Sequence, residues 1–212
     1  MRAHIGSTMK IIRFQKVATS ARIFVADNFV RDDEIERVET IAARPEAYEP
    51  RHDGTGLSFE MPLDAHPCLP AISARIETAL GFSNKFAASF RYRRYGPGES
   101  HPVHCDNYEI GGLRLVATAM ICLTACDGGG ETRFPNTQPR LALLEPRVGR
   151  LAVWLNYRPD GSVDETSAHE GLTVRRGHKT TITEFVYSDI NPVPAFAVGL
   201  APGELIAGVR FE

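Results

Sequence analysis

Two segments in the first part of the chain carry apolar positions at helical spacing. Ile35, Val38, Ile41 and Ala42 fall on one face behind Asp32 or Asp33, either of which is suited to cap a helix. Ile72, Ile76, Ala79 and Leu80 form a second such face, between Pro70, placed to open a helix, and Gly81, placed to close it. Ahead of them, Arg22–Phe29 reads as a strand, and Arg51–Gly56 as a polar loop. From Phe86 the period changes. Short apolar or alternating runs rich in Val, Ile, Thr, Tyr and Phe follow one another: Phe86–Tyr95, Val103–Tyr108, Leu113–Thr124, Arg140–Leu144, Arg150–Asn156, Ser167–Val174 and Lys179–Tyr187. Gly- and Pro-containing turns separate them. Many short strands with frequent turns predict a β-sandwich or barrel, braced on one outer face by the two helices. The tail, Asp189–Glu212, alternates apolar residues with Pro and Gly and reads as either an edge strand or a flap. With no linker, internal repeat or low-complexity run, the chain reads as one domain over 1–212. Helical support covers about 20–85, a β core about 86–188 and a C-terminal extension 189–212.

Composition narrows the class. The chain has 212 residues, and its 24 Lys and Arg against 26 Asp and Glu leave a formal charge of −2. That balance argues against a nucleic-acid partner held by bulk positive charge and against a polybasic membrane anchor. At 43% hydrophobic residues, the chain is expected to fold. The longest stretch free of charges and turn residues, Leu115–Cys126, falls well short of the roughly 20 residues a membrane span needs, so it reads as core. No charged start followed by an apolar run and a cleavage site is visible, and Met9 offers a second start that would make residues 1–8 dispensable. The four cysteines, Cys68, Cys105, Cys122 and Cys126, are too few for a disulfide scaffold. They read as reduced thiols in a cytoplasmic protein, with Cys122 and Cys126 as buried small residues rather than zinc ligands.

Candidate chemistry begins at His104-Cys105-Asp106. Two residues apart on a strand share a face, so an imidazole and a carboxylate would be presented together with Cys105 facing away. A second imidazole would complete a facial set of two His and one carboxylate, which holds non-haem Fe(II) by one face and leaves positions open for other ligands. Alone, His-x-Asp is a common accident of surface composition. His169 supplies a candidate second imidazole. Ten residues on, Lys179 shares a strand face with Thr181, Thr183 and Phe185, where Lys179 and Thr181 could jointly hold a carboxylate. The bland reading of Lys179 is a solvated side chain near a turn.

Taken together and in order, these motifs resemble the prolyl 4-hydroxylase-like branch of the Fe(II)/2-oxoglutarate-dependent dioxygenases. The resemblance runs through Tyr95-Gly-Pro-Gly98, His104-x-Asp106, Arg114-Leu-Val-Ala-Thr118 and Gly129-Gly-Glu-Thr-Arg-Phe-Pro135. It continues through Pro146-Arg-Val-Gly149 to His169 with Gly177 and Lys179 beyond it, and covers about half the chain. It implies a double-stranded β-helix, or jelly-roll, of two facing sheets, a mainly β fold with N-terminal supporting helices. It implies that His104, Asp106 and His169 ligate Fe(II). It also implies that Lys179 binds the distal carboxylate of the co-substrate 2-oxoglutarate, that Tyr95 donates a further hydrogen bond to it, and that O₂ is consumed with ascorbate as reductant. The expected reaction hydroxylates an unactivated C–H of a peptidyl residue or small molecule, with succinate and CO₂ released. Asp106 favours hydroxylation over halogenation, since halogenating relatives carry a small residue there. One position departs: many relatives have Tyr where this chain has Cys122, which removes one hydrogen bond to the co-substrate that Thr181 or a water would replace. Two rivals remain, a free amino-acid or natural-product hydroxylase of the same chemistry and a non-catalytic metal-binding jelly-roll. The oligomeric state is not legible.

The remaining polar residues read more plainly. His101 is a loop residue or a pocket wall, and His4, His52, His66 and His178 are structural or solvent-facing. Trp154, the single Trp, reads as core with an indole N–H in need of a partner. Arg91, Arg93 and Arg94 are expected in surface salt bridges rather than against an anionic substrate, and Gly128–Gly130 as a turn.

Overall fold

A computed structural model describes residues 12–18, 20–44, 48–52, 55–138, 140–194, 197 and 206–211. The alternative start, His4, the His52 side chain and part of the tail lie outside the described residues.

Both predicted helices form. α1 spans Asp32–Ala42, one residue earlier than an Asp cap would place it. Arg31 occupies the cap position, and its backbone N–H is taken by the Glu34 carboxylate at 2.9 Å. α2 spans Cys68–Leu80, so Pro70 sits inside its first turn, where a missing N–H costs nothing. Gly81 ends it with φ at +79°, a left-handed cap that glycine adopts without strain. Val38 and Ala42 on α1 and Leu69, Ile72, Ile76 and Leu80 on α2 are buried. At roughly 2 kcal/mol for each large apolar side chain, this packing holds the helices to the sheet. A bidentate Arg75–Glu34 pair, both contacts at 3.0 Å, ties the two helices together.

The strands are β1 (Gln15–Lys16), β2 (Ile23–Ala26), β3 (Arg51–His52), β4 (Leu57–Pro62), β5 (Ser89–Tyr95), β6 (His101–His104), β7 (Glu109–Ile110) and β8 (Leu113–Thr124). They continue with β9 (Gly128–Gly129), β10 (Thr132–Phe134), β11 (Ala142–Leu144), β12 (Leu151–Leu155), β13 (His169–Gly171), β14 (Val174–Arg176), β15 (Lys179–Ser188) and β16 (Val209–Phe211). Among the described residues a nine-stranded sheet runs β1-β2-β12-β8-β15-β5-β4-β3, with β7 also on β8, and a five-stranded sheet runs β16-β11-β10-β13-β6. This is the jelly-roll architecture, mainly β with flanking helices. The pleat of the large sheet sorts its side chains. Ala117, Ala119, Ile121 and Leu123 of β8, with Ile182 and Val186 of β15, face the helices in the larger core. Thr118, Met120, Thr181 and Thr183 face the interior between the sheets. A second core, containing Ile23, Val25, Phe134 and Trp154, closes one side of that interior.

Several elements differ from the sequence reading. The segment taken as polar loop contains β3, and β4 follows it, pairing with β5 from Leu57↔Arg94 to Pro62↔Ser89. Gly128–Gly129 is a short strand on β14 rather than a turn. The described end of the tail forms an edge strand: β16 joins β11, with Arg210 paired to both Glu131 and Glu145. The four cysteines are free thiols. No helix among the described residues is long and apolar enough to cross a membrane.

Candidate active site

The two sheets enclose a cavity of about 700 Å³. Its chemistry is assembled from four strands. β13 and β6 pair so that His169 lies directly opposite His104, and the two rings come within 4.3 Å, centroid to centroid. Asp106 follows β6. The expected strand through Tyr108 stops at His104, so the pleat does not aim the carboxylate. A hydrogen bond does: Thr118 Oγ1, from β8, donates to Asp106 Oδ2 at 2.7 Å, and Thr118 in turn accepts from Asn156 Nδ2 at 3.2 Å. Cys105 is half-buried beside the strand end.

Both imidazoles are oriented by backbone carbonyls. His104 Nδ1 lies 2.9 Å from Pro102 O, and His169 Nδ1 lies 3.0 Å from Ser167 O. A carbonyl only accepts, so each ring carries a proton on Nδ1 and turns Nε2 inward. His104 Nε2 is 3.5 Å from Asp106 Oδ1, and His169 Nε2 is 3.7 Å from Asp106 Oδ2. One ligand atom from each residue lies within 4.8 Å of the others, and among the described residues this is the group able to hold a metal ion. Burial lowers the His169 pKa to about 4, against the opposing pull of Asp106, so the ring is neutral at pH 7 and available as a ligand.

Lys179 opens β15 and is 4% exposed. Its Nζ donates to Gly130 O at 2.8 Å and lies 3.4 Å from Thr132 Oγ1, with the Tyr95 ring 5.8 Å away. Burial lowers its pKa from the usual 10.5, opposed by Cys122, Cys126 and Glu131. Burial likewise pushes the Cys122 thiol up to about 11. At Gly130, φ is +71° and a Cβ would lie 2.6 Å from Cys126 Sγ, so only glycine brings this carbonyl to the lysine. Thr181 lines the same wall, paired with Cys122 on one side and Arg93 on the other.

All six sequence-predicted site residues, His104, Asp106, His169, Lys179, Tyr95 and Thr181, line this one cavity. His101 is a wall residue on β6, its ring 4.5 Å from that of His104. His66 is structural, its Nδ1 accepting from Cys68 N, and His178 is exposed. Trp154 is buried as expected, yet it also lines the cavity 4.5 Å from the His169 ring, and Nε1 has no hydrogen-bond partner among the described residues. Arg91 is paired with Glu60 as expected of a salt-bridged arginine, whereas Arg93 is not in such a pair. Sequence reasoning missed the roles of Thr118 and Asn156. A polar residue inside an apolar strand was the available signal for Thr118, and one directly at the end of an apolar strand for Asn156.

Comparison with known proteins agrees with this geometry. Residues 90–187 match the family model of the 2OG-Fe(II) oxygenase superfamily. Prolyl 4-hydroxylase 13 of Arabidopsis thaliana is 28% identical over 209 residues, covering 85% of this chain and 76% of that protein. A viral collagen prolyl hydroxylase from Paramecium Bursaria Chlorella virus-1, solved as a 2OG complex, superposes with a TM-score of 0.66 at 20% identity, over 79% of this chain and 96% of that one. A Pseudomonas putida prolyl-4-hydroxylase superposes with a TM-score of 0.55 at 17% identity, over 77% and 91%. The structural likenesses carry the fold, and the matched segment contains every residue of the His-Asp-His group. Residues 90–187 therefore match the 2OG-Fe(II) oxygenase superfamily, and the chain as a whole resembles prolyl 4-hydroxylases in sequence and fold.

Proposed function

We propose that this chain hydroxylates an unactivated C–H of a peptidyl prolyl residue, with Fe(II) held by His104, Asp106 and His169 and with 2-oxoglutarate as co-substrate. The observation that carries this reading is the pairing of two features in one cavity: the three converging ligand atoms, and a wholly enclosed lysine beside them. The donor set fits the metal. Two neutral imidazoles and one carboxylate on a single side leave other coordination positions for exchangeable ligands. Bound together, Fe(II), 2-oxoglutarate and O₂ supply an oxidant strong enough for C–H hydroxylation, with release of succinate and CO₂.

The protein's own residues position and shield. Ser167 O and Pro102 O fix the two imidazole tautomers, and Thr118, braced by Asn156, holds the carboxylate. Lys179 offers a fixed cation to the far carboxylate of the co-substrate, with Tyr95 and Thr181 beside it. A dicarboxylate taken into a largely apolar interior needs both charges met, or desolvation opposes its entry. The sheets bury Asp106 and His169, while His104 stands toward the open side of the cavity, 26% exposed. Strands near both ends of the chain, β1 and β2 in one sheet and β16 in the other, complete the two sheets, which supports one catalytic unit over 1–212. The peptidyl substrate rests on the likeness to prolyl 4-hydroxylases.

The test is succinate formation from 2-oxoglutarate with iron and ascorbate, run with and without proline-containing peptides, with products read for a +16 Da shift. Peptide-stimulated succinate and a hydroxylated peptide are expected, and His104→Ala and Asp106→Ala should lose both. Hydroxylation of a free amino acid but no peptide would make the chain a small-molecule hydroxylase. Metal binding without any succinate would make it a non-catalytic jelly-roll.

A further inference from the structure

Every charged group on the cavity wall but one is accounted for, either by an ion pair or by the site described above. Glu60 is held by Arg91, and Glu109 by Arg114 at 3.1 Å. Asp106 belongs to the metal-ligand group, and Lys179 is enclosed against Gly130 and Thr132. Arg93 is left. It has no carboxylate partner among the described residues, and its one hydrogen bond to a described side chain runs from Nη1 to Thr55 Oγ1 at 3.3 Å.

The sheet register places this guanidinium. Arg93 stands between Ser58 of β4 and Thr181 of β15, on the cavity side of β5. It lies one pleat repeat beyond Tyr95, which is opposite Lys179. Lys179 is buried, whereas Arg93 is half-buried, on the flank where the cavity meets solvent. Further along the same cavity, toward the Tyr187 end of β15, its lining includes large exposed apolar side chains: Phe86 at 49% exposure, Tyr108 at 54% and Ile110 at 40%. The partly exposed lining thus combines apolar side chains and paired charges with one half-buried guanidinium, Arg93, that no carboxylate among the described residues neutralises.

We propose that Arg93 is a specificity-determining residue that recognises a carboxylate on the primary substrate, so that the preferred peptide carries an acidic residue close to the residue oxidised. This rests on the hydroxylase reading above and names the substrate class it leaves open. A guanidinium presents a planar fork that matches a carboxylate in two parallel hydrogen bonds. At a half-desolvated wall such a pair is stronger than on an open surface, and a substrate lysine at the same place meets like-charge repulsion. The co-substrate does not need this group, because its far carboxylate is met by Lys179.

The experiment uses peptides that differ only in having Glu, Gln or Lys two residues from a single proline, tested with the full chain, Arg93→Gln and Arg93→Glu. Wild type should favour the Glu over the Lys peptide by at least about tenfold in kcat/KM, carried by KM. Arg93→Gln should lose that preference and Arg93→Glu reverse it, while the KM for 2-oxoglutarate and the Mn(II) affinity of both variants stay within about twofold of wild type. Three results overturn the inference alone: equal turnover of all peptides by wild type, a preference that survives in Arg93→Gln, or a raised KM for 2-oxoglutarate in that variant with all peptides affected alike. Wild type that makes succinate yet binds and hydroxylates no peptide overturns it together with the peptide substrate. Absence of succinate altogether overturns the hydroxylase reading itself.

Discussion

Replacing Thr118 by Val removes one hydroxyl from behind Asp106 and keeps the branched shape that β8 packs. In the native chain that hydroxyl donates to Asp106 Oδ2 at 2.7 Å and accepts from Asn156 Nδ2 at 3.2 Å, at a position 1% exposed. A hydrogen bond to a charged group contributes about 1.5–3 kcal/mol, and groups that orient metal ligands are typically worth about 10–100-fold in metal affinity. The two agree, since 10–100-fold is about 1.4–2.8 kcal/mol. Asn156 keeps its bond to Leu115 O at 3.0 Å, so the loss falls on Asp106. Thr118→Val should therefore raise the Kd for Mn(II) about 10–100-fold, and Thr118→Ser should retain most of the affinity. Anaerobic titration calorimetry of the three proteins gives the numbers, and near-ultraviolet circular dichroism shows whether the fold is kept. A folded Thr118→Val chain that binds Mn(II) within about threefold of wild type would mean that Asp106 is held by something else, and the orienting role would fall.

Lys179→Ala should raise the apparent KM for 2-oxoglutarate on the order of a hundredfold or more while the metal affinity is kept, because a buried charge would lose its partner. Arg175→Ala and Arg176→Ala, at exposed positions, should change it little, and the reverse pattern in steady-state kinetics would make one of them the anchor. The metal-free chain should lose stability as pH falls from about 6.5 toward 4. The unfolded His169 imidazole takes up a proton across that window while the buried one resists, so the unfolded state binds more protons. Urea unfolding should show a pH slope steeper in wild type than in His169→Gln by up to about 1.4 kcal/mol per pH unit, and equal slopes would refute the burial argument. Arg75→Ala should destabilise the fold by about 1.5–3 kcal/mol, because the Glu34 carboxylate loses its bidentate partner and keeps only its contacts with Arg31. A thermal shift under about 2 °C would show that α1 and α2 do not depend on the pair.

Much of this was legible along the chain because local rules govern it. A stripe of Val38, Ile41 and Ala42 needs a surface to cover it, and Gly81 offers the left-handed turn that ends α2, so both helices could be placed within two residues of their observed starts. Alternation along Leu113–Thr124 and Lys179–Tyr187 located β8 and β15, and the shared face of Lys179, Thr181, Thr183 and Phe185 is the cavity wall. The shortest strands escaped, as β3, β7, β9 and β10 have two or three residues each, too few for a period to register. β4 is longer, and Leu57, Phe59 and Met61 alternate with Ser58, Glu60 and Pro62, a strand signal that the sequence reading passed over.

The site divides along the same line. The chemical identities of His104, Asp106, His169 and Lys179, and the order in which they come, are written in the sequence, and so is the architecture that such an order implies. Their meeting is not. His169 reaches His104 because β13 lies against β6 in one particular register, a pairing between segments far apart in the chain that no local pattern encodes. Asp106 lies past the end of its strand, so its direction is set by a hydroxyl on β8 rather than by its own pleat. Arg93 and Arg91 are alike in sequence and both line the cavity, and only the position of Glu60 on β4, opposite Arg91, neutralises one and leaves the other without a carboxylate among the described residues. Residue type and spacing act through the backbone within a few residues. Ligand geometry, burial and charge pairing depend on which distant strands become neighbours, and that is decided when the two sheets close on each other.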